Sequence, residues 1–136
     1  AYQSFSCILC LMSSSSLRYA ANLASAHGQQ CDQTARLLES RSHQMASLFE
    51  PLLRLHIPQT WDSPTATVSR DQLATQAREF EATRAEINRV ARSLRHRADI
   101  DFSDAAQLRR QADHAANQEA NTRREHDAAL ADAAPN

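Results

Sequence analysis

The sequence predicts an all-α chain: a long antiparallel helical hairpin followed by a further alanine-rich helix that helps to complete a bundle. Three observations lead there. Apolar positions recur every seven residues along two long stretches, a short segment bounded by prolines separates them, and the 136 residues contain a single glycine. Tight β-hairpins and nucleotide-binding βαβ units both depend on glycine, so sheet-based and P-loop or Rossmann folds are excluded at the outset. The 15 basic residues are all Arg, and they balance 16 acids to a formal charge of -1. Such a balance supplies no global attraction to nucleic acid or anionic lipid.

Residues 1–16 read as a flexible N-terminal extension. Phe5, Ile8, Leu9, Leu11 and Met12 form a short uncharged apolar patch before Arg18, without the basic start or the length of a secretory signal. Met12 leads into Ser13, Ser14, Ser15 and Ser16 in the manner of an initiator with a polar lead-in. Residues 1–11 are therefore expected to be an extension from a misplaced start.

The hairpin is assigned to residues 17–98. In its first arm, Leu17, Ala24, Cys31, Leu38, Met45 and Leu52 form one heptad row, and Ala21, Gly28, Ala35, Ser42 and Phe49 form its companion. The companion row is small through its middle, so another helix can approach closely there. Pro51 predicts a kink or break near Glu50, because its ring clashes with the preceding turn and it lacks an N–H. Pro58 stops the apolar run of Leu52, Leu53, Leu55 and Ile57, and a turn is placed at 58–64. Ser63 before Pro64 is a good helix start, with an N-cap oxygen followed by a proline that fits the first helical position.

The second arm carries Leu73, Phe80, Ile87 and Leu94, with Ala77, Arg84, Ala91 and Ala98 as companions. This register persists through Ala105 and Ala112, which allows one long helix. The acids Asp99, Asp101 and Asp104 nevertheless favour a break or bend over residues 99–104, with a separate C-terminal helix recapped at Asp101 or Ser103 and running to residue 130. Beyond residue 104 the apolar content is nearly all Ala, which favours helix but buries little area. Residues 131–136 form a tail without an obvious anchor, and the last dozen residues are expected to be mobile.

No catalytic, cofactor-binding or metal-binding set emerges, and the chain is read as not an enzyme. Cys7, Cys10 and Cys31 are an odd number and form no disulfide framework. The C-x-x-C at Cys7 and Cys10 has no strand–helix context for redox work. Cys31 with His27 is the only helical pair with metal-ligand spacing, and Cys31 reads instead as a small buried hydrophobe on its seam. The six histidines, at 27, 43, 56, 96, 114 and 126, include no H-E-x-x-H. Asp99, Asp101 and Asp104 lack the glycine and terminal glutamate of a calcium loop and read as capping, solvated acids. Arg84, Arg89, Arg92, Arg95, His96 and Arg97 make a basic stretch, but Glu79, Glu81 and Glu86 lie close by. The i,i+3 pairs Glu81–Arg84 and Glu86–Arg89 point to a salt-bridged face rather than a nucleic-acid patch.

Trp61, the sole tryptophan, sits between the two arms, either plugging the end of the bundle or anchoring a second chain. A long first helix, a Trp-bearing turn and a second amphipathic helix over residues 17–98, with Trp61, Asp62 and Ser63 at the turn, resemble the small W-x-G proteins of the early secreted antigen family. These are helical hairpins associated with type VII secretion in actinobacteria and their relatives. Ser63 stands in place of that family's glycine. The family's export signal, a Tyr followed four residues later by an acid, has no counterpart after the second arm, because the only tyrosines are Tyr2 and Tyr19. The resemblance implies a dimeric, non-enzymatic secretion substrate, partner or effector chaperone, cytoplasmic or exported by a route that uses no signal peptide.

Apart from that resemblance, a two-helix hairpin with apolar seams this long cannot enclose its own faces. Either a third helix folds back, or a homodimer or other helical protein partner completes the bundle. The contact is expected at Leu48, Phe49, Leu52, Trp61, Phe80, Ile87 and Leu94, with no small-molecule substrate, no membrane span and nucleic acid an improbable partner. A structural coiled-coil subunit of a larger assembly is the alternative, and an Arg-based nucleic-acid binder a weaker one.

Overall fold

In the computed structural model, residues 13–55 and 63–133 are described. They form two helices, α1 (Ser14–Leu55) and α2 (Pro64–Ala133), packed as an all-α hairpin, with no strand among the described residues. The chain divides into two compact units, one made of Ala1–Gly28 with Asp99–Asn136 and the other of Gln29–Ala98. The expectations for residues 1–12, the turn around Trp61 and the last three residues fall outside the described residues.

Each helix starts on a serine. Ser13 Oγ accepts from the Ser16 N–H at 3.3 Å, and Ser63 Oγ accepts from the Ala66 N–H at 3.0 Å. Both are N-cap bonds, and Pro64 takes the first helical position as expected. The helix therefore reaches further into the serine run than the extension assigned to 1–16 allows. The reason is tertiary as well as local. Glu119 on α2 accepts from both the backbone N–H and the hydroxyl of Ser14, at 2.9 Å each, so an acid from the opposite helix satisfies the open N-terminus of α1.

Both units show antiparallel pairing. In the first, Ser14 meets Glu119, Arg18 meets Asp113 and His27 meets Asp101. Its buried apolar residues are Leu17 and Ala21 on α1 with Ala105 and Ala112 on α2. In the second, Glu39 meets Arg95 and Phe49 meets Phe80. There the buried apolar residues are Cys31, Ala35, Ala66, Ala91 and Ala98. The small companion rows thus form the centre of the seam, with the larger side chains along its edges.

Neither expected break occurs. Helix α1 runs through Pro51. The carbonyl left without its N–H partner belongs to Ser47, and both residues are exposed, so water can take that bond's place. Helix α2 runs through residues 99–104, so the alanine-rich C-terminal segment continues α2 instead of forming a separate third helix. That stretch contains no Gly or Pro, and the buried row Ala98, Ala105 and Ala112 passes straight across it. Seam burial outweighs the few tenths of a kcal/mol, about 0.7 at most, by which each Asp disfavours helix. From Asn117 to Ala133 every residue is exposed, and intrinsic alanine propensity carries the helix.

Candidate functional site

Among the described residues of Gln29–Ala98 the core is made of small side chains and the large ones remain at its margin. Leu38, Met45 and Phe49 on α1, and Leu73, Phe80, Ile87 and Leu94 on α2, are all half-buried. Phe49 and Phe80 stack with ring centroids 4.7 Å apart and an interplanar angle of 23°. Further out, Leu48, Leu52 and Leu55 follow one another at steps of four and three residues on one face of α1. All three are exposed, Leu48 by 72%.

Of the residues expected at a partner contact, the structure brings Phe49 and Phe80 together, and leaves Ile87 and Leu94 half-buried on α2. It turns Leu48 and Leu52 to solvent. Trp61 lies outside the described residues. Three arginines of the basic stretch, Arg84, Arg89 and Arg95, are paired with acids. Arg84 donates to Glu81 and, through Nε, to the backbone carbonyl of Ser42 at 3.1 Å, which accounts for an arginine in a row of small seam residues. Arg89 pairs with Glu86 at 2.5 Å and Arg95 with Glu39 at 2.6 Å. The guanidinium groups of Arg95 and Arg89 hold the carboxyls of Glu39 and Glu86, respectively, below the ordinary glutamate value. Arg89 is in turn raised by Glu86.

The unit formed by Ala1–Gly28 and Asp99–Asn136 holds a feature that the sequence reading missed. Asp101 is not a cap. It is buried on the seam, and its carboxylate Oδ2 lies 2.6 Å from His27 Nδ1. The Asp101 side chain is 5% exposed, whereas the His27 ring is 54% exposed. The signal was present in the spacing, since Asp101 stands seven residues after Leu94 in the row of Leu73, Phe80 and Ile87. Beside this pair, a Cβ built on Gly28 would lie 2.9 Å from Phe102 Cε1 and 3.2 Å from Asp101 Cβ. The one glycine therefore lets the Phe102 ring lie close against the α1 backbone.

The Glu119 cap carries a pH signature. Hydrogen bonds from the Ser14 N–H, and then from its hydroxyl, hold the Glu119 carboxyl below its ordinary value. A carboxyl depressed in the folded state adds stability above its unfolded value and loses it as the pH falls through the folded one. Glu119→Gln is expected to lower the melting temperature at neutral pH, with the gap from wild type closing on acidification below the ordinary glutamate range. A gap that stays constant with pH would contradict this cap.

No family model, curated protein or solved structure significantly matches this chain. No described helix is long and apolar enough to cross a membrane.

Proposed function

We propose that the chain is a non-enzymatic helical interaction module whose partner completes the bundle, in the first instance a second copy of itself. One observation carries this reading. Among the described residues of Gln29–Ala98, every buried apolar side chain is Ala or Cys, while the large aliphatic and aromatic residues are left half-buried or exposed. Full burial of a Leu or Phe contributes about 1.5–3 kcal/mol, and alanine far less, so part of the available apolar stabilisation, most of it at the exposed Leu48, Leu52, Leu53 and Leu55, is still unrealised in a single chain. The half-buried row ending at Phe49 and Phe80, with Leu48 and Leu52 beside it, is where a second hairpin gains that area. The charged outer face of α2, with its acid–Arg pairs, suits solvent.

The hairpin plan, and the tryptophan in the sequence between the two helices, support a more specific role as a substrate, partner or effector chaperone of type VII secretion, held in the cytoplasm before export without a signal peptide. Its chemistry is surface burial alone.

Sedimentation velocity of wild type and Phe80→Asp tests the reading. Placing a carboxylate in an apolar contact is expected to weaken association by at least about 3 kcal/mol, a hundredfold or more in Kd. The variant should sediment as a monomer at concentrations where wild type is a dimer, with helicity retained by circular dichroism. A wild type that is monomeric at micromolar concentration would overturn the proposal.

A further inference from the structure

Two side chains with metal-ligating atoms are buried in the apolar rows, and a histidine joins them. On α1 the row of Leu17, Ala24, Leu38, Met45 and Leu52 carries a thiol at Cys31, and on α2 the row of Leu73, Phe80, Ile87 and Leu94 continues to a carboxylate at Asp101. Both are buried. His27 stands four residues before Cys31, so the turn of α1 itself sets these two on one face. His27 Nδ1 in turn lies 2.6 Å from Asp101 Oδ2. One imidazole nitrogen, one sulfur and one carboxylate oxygen therefore stand within 4.8 Å of one another.

This donor set suits a borderline-soft divalent cation. Thiolate and imidazole favour zinc, whereas magnesium and calcium take shells of oxygen ligands. In a tetrahedral zinc site, bonds of about 2.0–2.3 Å hold the ligand atoms about 3.3–3.6 Å apart, a spacing that lies inside the spread of this cluster. Only the short His27–Asp101 contact must open, by about 1 Å, as the ion takes its place between the two groups. The His27 side chain is 54% exposed, which gives it room to move, gives the ion a path of entry and leaves a fourth position to water. Charge balance points the same way. A thiolate and a carboxylate neutralise a dication, and a cation bonded to Asp101 offsets the cost of burying an acid in an apolar row.

We propose that His27, Cys31 and Asp101 form a three-ligand site for a zinc-class divalent cation, held through His27 Nδ1, the Cys31 thiolate and the Asp101 carboxylate, with water in the fourth position. On binding, the Cys31 thiol gives its proton to solvent. The bound ion ties α1 to α2 and stabilises the folded chain in proportion to its concentration over Kd. All three ligands come from one chain, so the site is independent of self-association.

Calorimetric titration of the full chain with zinc chloride tests the site, in a background of Cys7→Ser and Cys10→Ser that removes the other two thiols. One zinc per chain is expected, with a micromolar or tighter Kd. Cys31→Ala installs the residue type that the seam already buries at Ala35, so it should keep its helicity while weakening binding at least about a hundredfold, the upper end of what outer-shell partners alone are worth. His27→Ala and Asp101→Asn should each weaken it at least about tenfold. Cobalt(II) in place of zinc gives a readout that does not depend on how the variants fold. In the parent chain it should show a sulfur-to-cobalt charge-transfer band and the intense visible bands of a four-coordinate ion. No binding at tens of micromolar zinc would overturn the site, as would binding undiminished in Cys31→Ala or a six-coordinate cobalt spectrum without the sulfur band.

Discussion

His27→Ala is expected to lower the unfolding free energy by about 2 kcal/mol in urea, whereas Asp101→Leu should cost less than about 1 kcal/mol or even stabilise. The asymmetry follows from which partner is buried. Removing the His27 ring takes a hydrogen-bonding partner from a carboxylate that is 5% exposed, and water reaches it poorly. Taking a hydrogen bond from a buried charged acceptor costs roughly 1.5–3 kcal/mol, and the 54% exposure of the His27 side chain keeps this case within that range. Replacing the acid instead installs the residue type that the heptad row carries at Leu73 and Leu94, and leaves behind only a half-exposed histidine that water can solvate. The double variant His27→Ala/Asp101→Leu should therefore recover most of the loss, giving a coupling energy of about 2 kcal/mol in a double-mutant cycle. Equal losses for the two single variants would mean that the carboxylate finds sufficient partners without His27.

Gly28→Leu is the second large effect, a loss of about 1–3 kcal/mol, a large share of a marginal stability. In an exposed helix interior the same change would stabilise by about 0.8 kcal/mol, because glycine is a poor helix former. Here the sign reverses. The first added carbon already lies 2.9 Å from Phe102 Cε1 and 3.1 Å from Cδ1, and the branches beyond it must displace Phe102 or part the helices. Phe102→Ala in the same chain should relieve a substantial share of the penalty, because it removes the group that the leucine strikes. Thermal unfolding followed by circular dichroism reads both. A Gly28→Leu chain as stable as wild type would show that α1 and α2 do not approach as closely at this level as the seam requires.

The sequence announces the hairpin because its heptad rows are long and uninterrupted, and helical periodicity with few glycines admits little else. The small row Ala21, Gly28, Ala35 and Ser42 identifies the closely packed seam directly, since only small side chains let helix axes approach. Local signals for a break misled in two places, for different reasons. Pro51 carries a real local penalty, but it falls on a solvent-facing turn where water can compensate. Asp99, Asp101 and Asp104 look like caps as a group, yet only the heptad position of Asp101 separates it from its neighbours, and His27, 74 residues away, helps to satisfy its carboxylate there. Pairing of that kind is invisible to periodicity, because it depends on which residue of the opposite helix stands level with it. The partner-facing residues were legible in type but not in exposure. Phe49 and Phe80 stack on each other, while Leu48 stands clear of the seam, a difference of one residue around the helix that sets how far each side chain lies from α2.

Molar mass by light scattering across a concentration series from nanomolar to tens of micromolar bears most directly on whether the hairpin is half of a larger bundle. A mass that rises from one chain to two, with helicity and melting temperature rising alongside it, is the expected result, because the large side chains around Phe49 and Phe80 lose their exposure only when a second hairpin covers them. A mass fixed at one chain, with a cooperative melting transition independent of concentration, would contradict it and show that the alanine seam alone suffices to hold the fold.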